Sequence, residues 1–202
     1  MTTQKKLALL TVAETIFKRE YNRIIEALGS LGHHLCDQYE LQRLGHPFYN
    51  SRAGGGEGHL EVAKNIYYSN KDLCHMVLSL KPFGCMPSTQ SDGAQSAVVS
   101  QYKDMIFLPI ETSGEGDVNA HSRVQMALGE AKVRSKNELN RVQEESGVTL
   151  EQVREYAAAH PEMQKPMYQF GHRKGVVGVA ANFILHTAEL IKAERKTKVL
   201  VN

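Results

Sequence analysis

Apolar residues recur at three- and four-residue spacing along the first stretch of the chain. Leu7, Leu10, Ala13, Phe17, Tyr21, Ile24, Ile25 and Leu28 are interleaved with Lys18, Arg19, Glu20 and Arg23. This period predicts an amphipathic helix from about residue 4 to 30, ended by Gly29 and Gly32. A weaker stripe, Leu60, Ala63, Ile66 and Tyr67, predicts a helix over 57–70, although Lys64 falls where a stronger stripe would carry another apolar residue. The pattern then changes. His75-Met76-Val77-Leu78-Ser79-Leu80 and Met105-Ile106-Phe107-Leu108-Pro109-Ile110 are short apolar runs with the length of buried strands, near 74–81 and 105–111. Between them, Ser91-Asp92 ahead of Ala94-Gln95-Ser96-Ala97-Val98-Val99 reads as the start of a helix over 91–102.

Beyond the second run, Asp117 is placed to cap a long helix over 118–145, whose segment Asn137 to Glu145 is charged enough to be a solvated face. Gly147 breaks it, Thr149 caps a short helix from Leu150 to Ala159, and Pro161 and Pro166 mark a linker. A final helix runs over about 175–193, its small residues from Gly175 to Ala181 suited to close packing. The stretch from Leu41 to Gly58, with Gly45, Pro47 and Gly54-Gly55-Gly56-Glu57-Gly58, reads as loop. The organisation expected is an N-terminal helix over 1–32, an α/β core over 33–146 and a C-terminal helical segment over 147–202.

A strand, a helix and a second strand in so short a span imply a crossover and parallel pairing. Helices in such units run antiparallel to the strands. The start of the 57–70 helix, the loop Lys81 to Gly93 and the loop 111–121 should therefore share one edge of the sheet, where ligands bind in open α/β folds. Two strands are few for such a sheet, which usually has four or more. Either further strands are hidden, or the chain is part of a larger assembly.

Candidate chemistry concentrates at that edge. In Lys81-Pro82-Phe83-Gly84-Cys85-Met86-Pro87 a thiol stands between two prolines and beside a glycine, on a stiff backbone able to approach a ligand closely. Such a cysteine is either a small packed hydrophobe or a thiolate ligand. Gly55, Gly56 and Glu57 open the 57–70 helix, and Ser91 and Asp92 open the next, so both starts are candidates for binding an anion, or plain connections. No Lys-Ser or Lys-Thr follows the glycines, so they form no Walker loop, and no strand precedes them as a dinucleotide fingerprint requires. His121, near the start of the long helix, reads as a solvated surface residue before a ligand or base. His33-His34-Leu35-Cys36-Asp37 suggests metal, but no second ligand pair follows at zinc-finger spacing.

Composition narrows the classes. In 202 residues, 24 basic side chains against 22 acidic ones give no reason to expect nucleic acid or an anionic membrane as partner. No apolar run approaches the roughly 20 residues that span a bilayer, and Met1 to Lys6 does not resemble a secretory signal. The 3 cysteines, Cys36, Cys74 and Cys85, are odd in number and widely separated, which suits a reducing compartment and argues against a disulfide framework. A cytoplasmic protein is expected.

Several segments together resemble one family: Arg52 to Lys64 with its Gly-Gly-Glu-Gly and Glu61-Val62, Leu80 to Ser88, Ser91-Asp92-Gly93, the Glu111 loop, and Asn119-Ala120-His121-Ser122-Arg123-Val124-Gln125-Met126. They are similar to the dehydratase-type component of the 2-hydroxyacyl-CoA dehydratase and CoA-enzyme activase group, over about residues 34 to 190. The resemblance implies flavodoxin-like subdomains whose loop cysteines hold a [4Fe-4S] cluster, with electrons delivered by an ATP-hydrolysing activator component. Cys85 is the position it implies as a cluster ligand; Cys36 and Cys74 are not. The chain lacks the ATPase domain and most of the cysteine ligands of the full pattern. It is therefore expected to be the C-terminal part of such a protein, or a subunit completing its site with a cysteine-rich dehydratase component. Two other readings stay open: a non-redox α/β module binding phosphate or a nucleotide, and a structural partner subunit.

Overall fold

The computed structural model describes residues 2–29, 35–112 and 117–201. It divides into two compact units, one formed by residues up to 35 with 143–172 and 182–202, the other by 36–142 with 173–181.

The second unit holds the sheet. Its elements are α2 (Gln38–Gly45), α3 (Gly58–Asn70), β1 (Val77–Pro82), α4 (Met86–Gln101) and β2 (Phe107–Thr112), followed by α5 (Asp117–Ser146), most of which lies in this unit. β1 and β2 pair in parallel, from Val77 opposite Phe107 to Pro82 opposite Thr112, so the expected crossover is present. The result is a mostly helical α/β arrangement around a small two-strand parallel sheet among the described residues. Its core is Val62, Ile66, Val98 and Met105, with Leu44, Phe48, Tyr102 and Phe107 packed around them. Val62 and Ile66 are four apart on α3, which puts both on one face toward α4 and the sheet.

The structure corrects four expectations. Part of the stretch read as loop is helix: Asp37 accepts the Tyr39 N–H at 2.9 Å and starts α2, whose Leu41 is buried against Ala63 of α3. The helix expected from 91 begins five residues earlier, at Met86. Pro87 sits in its first turn, where a missing N–H costs nothing because that donor has no intrahelical acceptor. β1 starts at Val77 instead of 74 and is covered on one face alone, with Leu78 and Leu80 exposed, so the apolar run is not a fully buried strand. The last helix begins at Val179, after Gly175 takes a left-handed turn at φ 79°, and continues to Val201.

The first unit is helical, with α1 (Thr3–Ala27), α6 (Leu150–Ala159), a 3-10 turn at Pro161–Gln164 and most of α7 (Val179–Val201). Thr149 caps α6 as expected, through a reciprocal box: its hydroxyl accepts the Gln152 N–H at 3.2 Å and Gln152 Oε1 accepts the Thr149 N–H at 3.1 Å. Gly29 has φ 62°, and a Cβ there would lie 2.4 Å from the Pro166 carbonyl oxygen, so the turn after α1 requires glycine. Most of α1 is exposed, including Leu7, Leu10 and Phe17, the last at 76 %, while Ile25 is buried. Among the described residues no helix is long and apolar enough to cross a membrane.

Candidate functional site

Everything at the C-terminal edge of β1 follows from a two-residue turn. Phe83 and Gly84 link the strand to α4, with Gly84 at φ 75°, and Cys85 becomes the residue capping that helix. The Cys85 N–H donates back to the Pro82 carbonyl at 3.2 Å, while its own carbonyl accepts both the N–H and the hydroxyl of Thr89, each at 3.0 Å. The thiol is thus fixed at a helix N-terminus, where unpaired N–H groups and the peptide dipoles favour an anion.

Two helix starts meet there. A Cβ on Gly56 would lie 2.3 Å from Pro87 Cγ, and one on Gly58 would lie 3.1 Å from the Pro87 carbonyl oxygen, so the glycines let α3 begin against α4. From the first turn of α3, Glu61 reaches the first turns of α4. Ser88 Oγ stands 3.2 Å from both Glu61 Oε1 and Cys85 Sγ; having one proton, it donates to one of them at a time. The Ser91 hydroxyl bonds to the other Glu61 oxygen and lies 2.9 Å from the Ser88 carbonyl. Deeper between the helices Asn65 Nδ2 donates to Gln95 Oε1 at 2.7 Å. Glu61, Ser88 and Ser91 therefore form one polar seam ending at the sulfur of Cys85.

Lys81 adds a charge. It is the penultimate residue of β1, is 2 % exposed, and its ammonium pairs with Asp92 of α4. A lysine is buried only with such a partner, since an ammonium removed from water without one costs several kcal/mol. Asp92 also lines a hollow of about 270 Å³ with Ile110, Glu111, Asn119 and Arg123, whose guanidinium donates to the Pro109 carbonyl at 2.9 Å. The end of β2 and the early turns of α5 thus join the same edge, as the crossover argument expects.

Among the residues singled out from sequence, Cys85, Gly56, Ser91 and Asp92 are brought to this edge. Ser91 and Asp92 act from the second turn of α4 and open no helix, which removes their reading as an anion-binding start. Gly55 faces open space at φ 96°, and Glu57 caps α3 by its backbone carbonyl, which accepts from Leu60 and Glu61, with no side-chain cap bond. His121 is exposed, its Nε2 3.5 Å from Gln125 Nε2. His33, His34 and the loop 113–116 lie outside the described residues. Glu61, Lys81 and Ser88 carry the site without having been assigned roles. The one signal for them was Lys81 itself, a charge closing an otherwise apolar strand.

The other cysteines are elsewhere. Cys36 is buried beside Tyr68, near the C-terminal end of α3, with Sγ 3.7 Å from the phenol oxygen. Cys74 precedes β1, in a cleft of about 570 Å³ at the opposite edge of the strands, and burial pushes its thiol up from the ordinary value. Among the described residues no three His, Cys, Asp or Glu side chains are grouped to hold a metal. A [4Fe-4S] cluster takes about four thiolates. The described part of this chain offers one at this edge and so does not fit a cluster held by this chain alone. No protein-family model, curated protein or solved structure matches the chain.

Proposed function

We propose that this chain is a component of a 2-hydroxyacyl-CoA dehydratase or CoA-enzyme activase system, working in the cytoplasm, in which Cys85 is one ligand of a [4Fe-4S] cluster completed by a cysteine-rich dehydratase component. An ATP-hydrolysing activator component supplies the electron in this reading, and the cluster supplies one-electron chemistry. The observation that carries it is the placement of Cys85: capping α4, with a hydroxyl donor at 3.2 Å from its sulfur, at the edge where two helices start. The helix terminus stabilises a nearby negative charge by about 0.3–1 kcal/mol, and the Ser88 hydroxyl is placed to donate to a thiolate. The chain's own residues here orient and stabilise one sulfur anion. The two parallel strands would then belong to a flavodoxin-like sheet continued by the partner, whose helices would cover the face that leaves Leu78 and Leu80 exposed.

Iron and acid-labile sulfide, measured after anaerobic purification, test the reading. Both should be present when this chain is prepared with the cysteine-rich component, in excess of what that component holds by itself. Equal iron with and without this chain would contradict it.

A second reading, a phosphate- or nucleotide-binding module, draws on Gly54 and Gly55 facing open space ahead of the 13-residue helix α3. Phosphate binding lost in a Gly55→Pro variant, with no iron in any preparation, would favour it.

A further inference from the structure

The loop after α2 shapes a surface hollow of a different chemistry. It has a volume of about 650 Å³ and is lined by Tyr39, Gln42, Arg43, His46, Pro47, Asn50 and Arg52. Ligand pockets run from roughly 300 to 1,000 Å³. No carboxylate lines it. The two nearest in sequence are engaged elsewhere: Asp37 accepts the Tyr39 N–H at 2.9 Å, and Glu40 pairs with Lys71 at 2.9 Å. Neither Arg43 nor Arg52 has a carboxylate partner among the described residues, so two arginines line one hollow with no carboxylate paired to either.

Its wall is held in shape by the chain itself. Gln42 Nε2 donates to Ser51 Oγ at 3.1 Å, Ser51 Oγ lies 3.0 Å from His46 Nδ1, and the Ser51 N–H donates to that same Nδ1 at 3.3 Å. With Nδ1 accepting, the proton of a neutral His46 ring is assigned to Nε2, which leaves a further donor. Asn50 Oδ1 accepts the Arg52 N–H at 2.9 Å, and the N–H groups of Phe48 and Tyr49 both donate to the Gly45 carbonyl, at 3.0 and 2.9 Å. Tyr39, an exposed residue at 82 %, completes the lining.

We propose that this hollow binds a nucleoside phosphate, with the phosphate oxygens on Arg43 and Arg52 and the base against the Tyr39 ring. Guanidinium groups match phosphate oxygens in pairs of parallel hydrogen bonds, and an exposed aromatic ring offers any base a stacking face. The site is separate from the Cys85 seam and does not depend on the iron–sulfur reading.

Calorimetric titration of the full chain with ADP, adenosine and inorganic phosphate tests the assignment. ADP should bind more tightly than either fragment. Arg43→Ala and Arg52→Ala should each weaken ADP about tenfold or more, the loss expected for a charge-assisted hydrogen bond, and the double variant should show no binding at millimolar ADP. Tyr39→Ala should weaken ADP and adenosine while leaving phosphate unchanged, and Tyr39→Phe should restore both. Arg154→Ala, an exposed charge on α6, serves as the control and should bind ADP like the parent. Unchanged melting curves would show that the variants fold. The proposal is overturned if ADP gives no heat, if the double variant binds it as the parent does, or if a polyglutamate peptide binds through the same arginines where ADP does not.

Discussion

At the C-terminal edge of the β1–β2 pair, Cys85 caps a helix and has a hydroxyl beside its sulfur, and the buried Lys81 ammonium pairs with the half-buried Asp92. At the N-terminal edge, Cys74 lies in a cleft lined by the last residues of α3 and α4, Asn70 and Gln101, and by Asp104 and Glu138. The crossover decides this contrast. Because the helices return against the strand direction, the first turns of α3 and α4 lie at one edge and their last turns at the other, and at that second edge burial raises the Cys74 thiol. Polar groups are used differently as well. Glu61 is spent on the hydroxyls of Ser88 and Ser91, whereas Glu138 accepts the N–H groups of Val177 and Gly178, at 2.8 and 2.7 Å, and orders the chain just before α7. Beside it His75 Nε2 is buried without a hydrogen bond, 3.5 Å from Glu138 Oε1. At the first edge these groups tie α3 and β1 to the start of α4 and end at the sulfur of Cys85; at the second they hold the segment that leads into α7.

The contrast can be broken most severely at Lys81. Removing its partner by Asp92→Ala should lower stability by about 3 kcal/mol, read by denaturant unfolding, because it strands a buried ammonium. Lys81→Met in the same chain should recover much of that loss; an Asp92→Ala loss of a few tenths would mean the pair is a surface one. Next in size is Gly56→Ala, which sets a Cβ against Pro87 at a backbone φ of 142° and should cost about 2 kcal/mol. Gly55→Ala, with open space around it, should cost about half as much from its positive φ alone. At the other edge, Glu138→Ala removes the acceptor of two amides and should cost about 1–2 kcal/mol, without altering the rate at which Cys85 is alkylated.

The smallest effect concerns Cys74. Burial raises its thiol, partly offset by a backbone hydrogen bond at Met76. In a Cys36→Ser, Cys85→Ser chain it should react with iodoacetamide more slowly than free cysteine at pH 8, with the rate still rising at higher pH. The unfolded thiol ionises first as pH rises, so the folded chain then binds more protons. The associated stability is present below the ordinary thiol value and is lost as pH climbs past it. A rate equal to that of free cysteine would show that the two edges do not differ in this way.

Much of this architecture was legible because it rests on period. The apolar runs around Val77 and Phe107 gave the strands, and the short span between them gave parallel pairing. What escaped was decided by competing local signals. Gly45 and Pro47 masked α2, although Asp37 is a good cap and Leu41 finds Ala63. Ser91-Asp92 looked like a helix start because serine and aspartate are good caps, whereas the true cap, Cys85, makes no side-chain cap bond and Pro87 in the first turn was the remaining signal. Of the site, Cys85 could be named from its rigid setting, and Gly56 from its density of neighbours of the same kind. Glu61 meets Ser88 and Ser91 across 27 and 30 residues of sequence, and such a meeting depends on the angle at which two helices start, which no periodicity encodes. The hollow at Arg43 and Arg52 escaped with α2, since a stretch read as loop offers no face on which to place two arginines.

The central claim is that Cys85, and neither of the other cysteines, supplies a thiolate to iron. Its most direct measurement is the visible charge-transfer absorption after anaerobic reconstitution with iron and sulfide in the presence of the cysteine-rich component, compared between the Cys85→Ser and Cys36→Ser chains. The account predicts diminished absorption for Cys85→Ser and parental absorption for Cys36→Ser. Parental absorption and iron content in the Cys85→Ser sample would contradict it and leave Cys85 as a packed thiol at the start of α4.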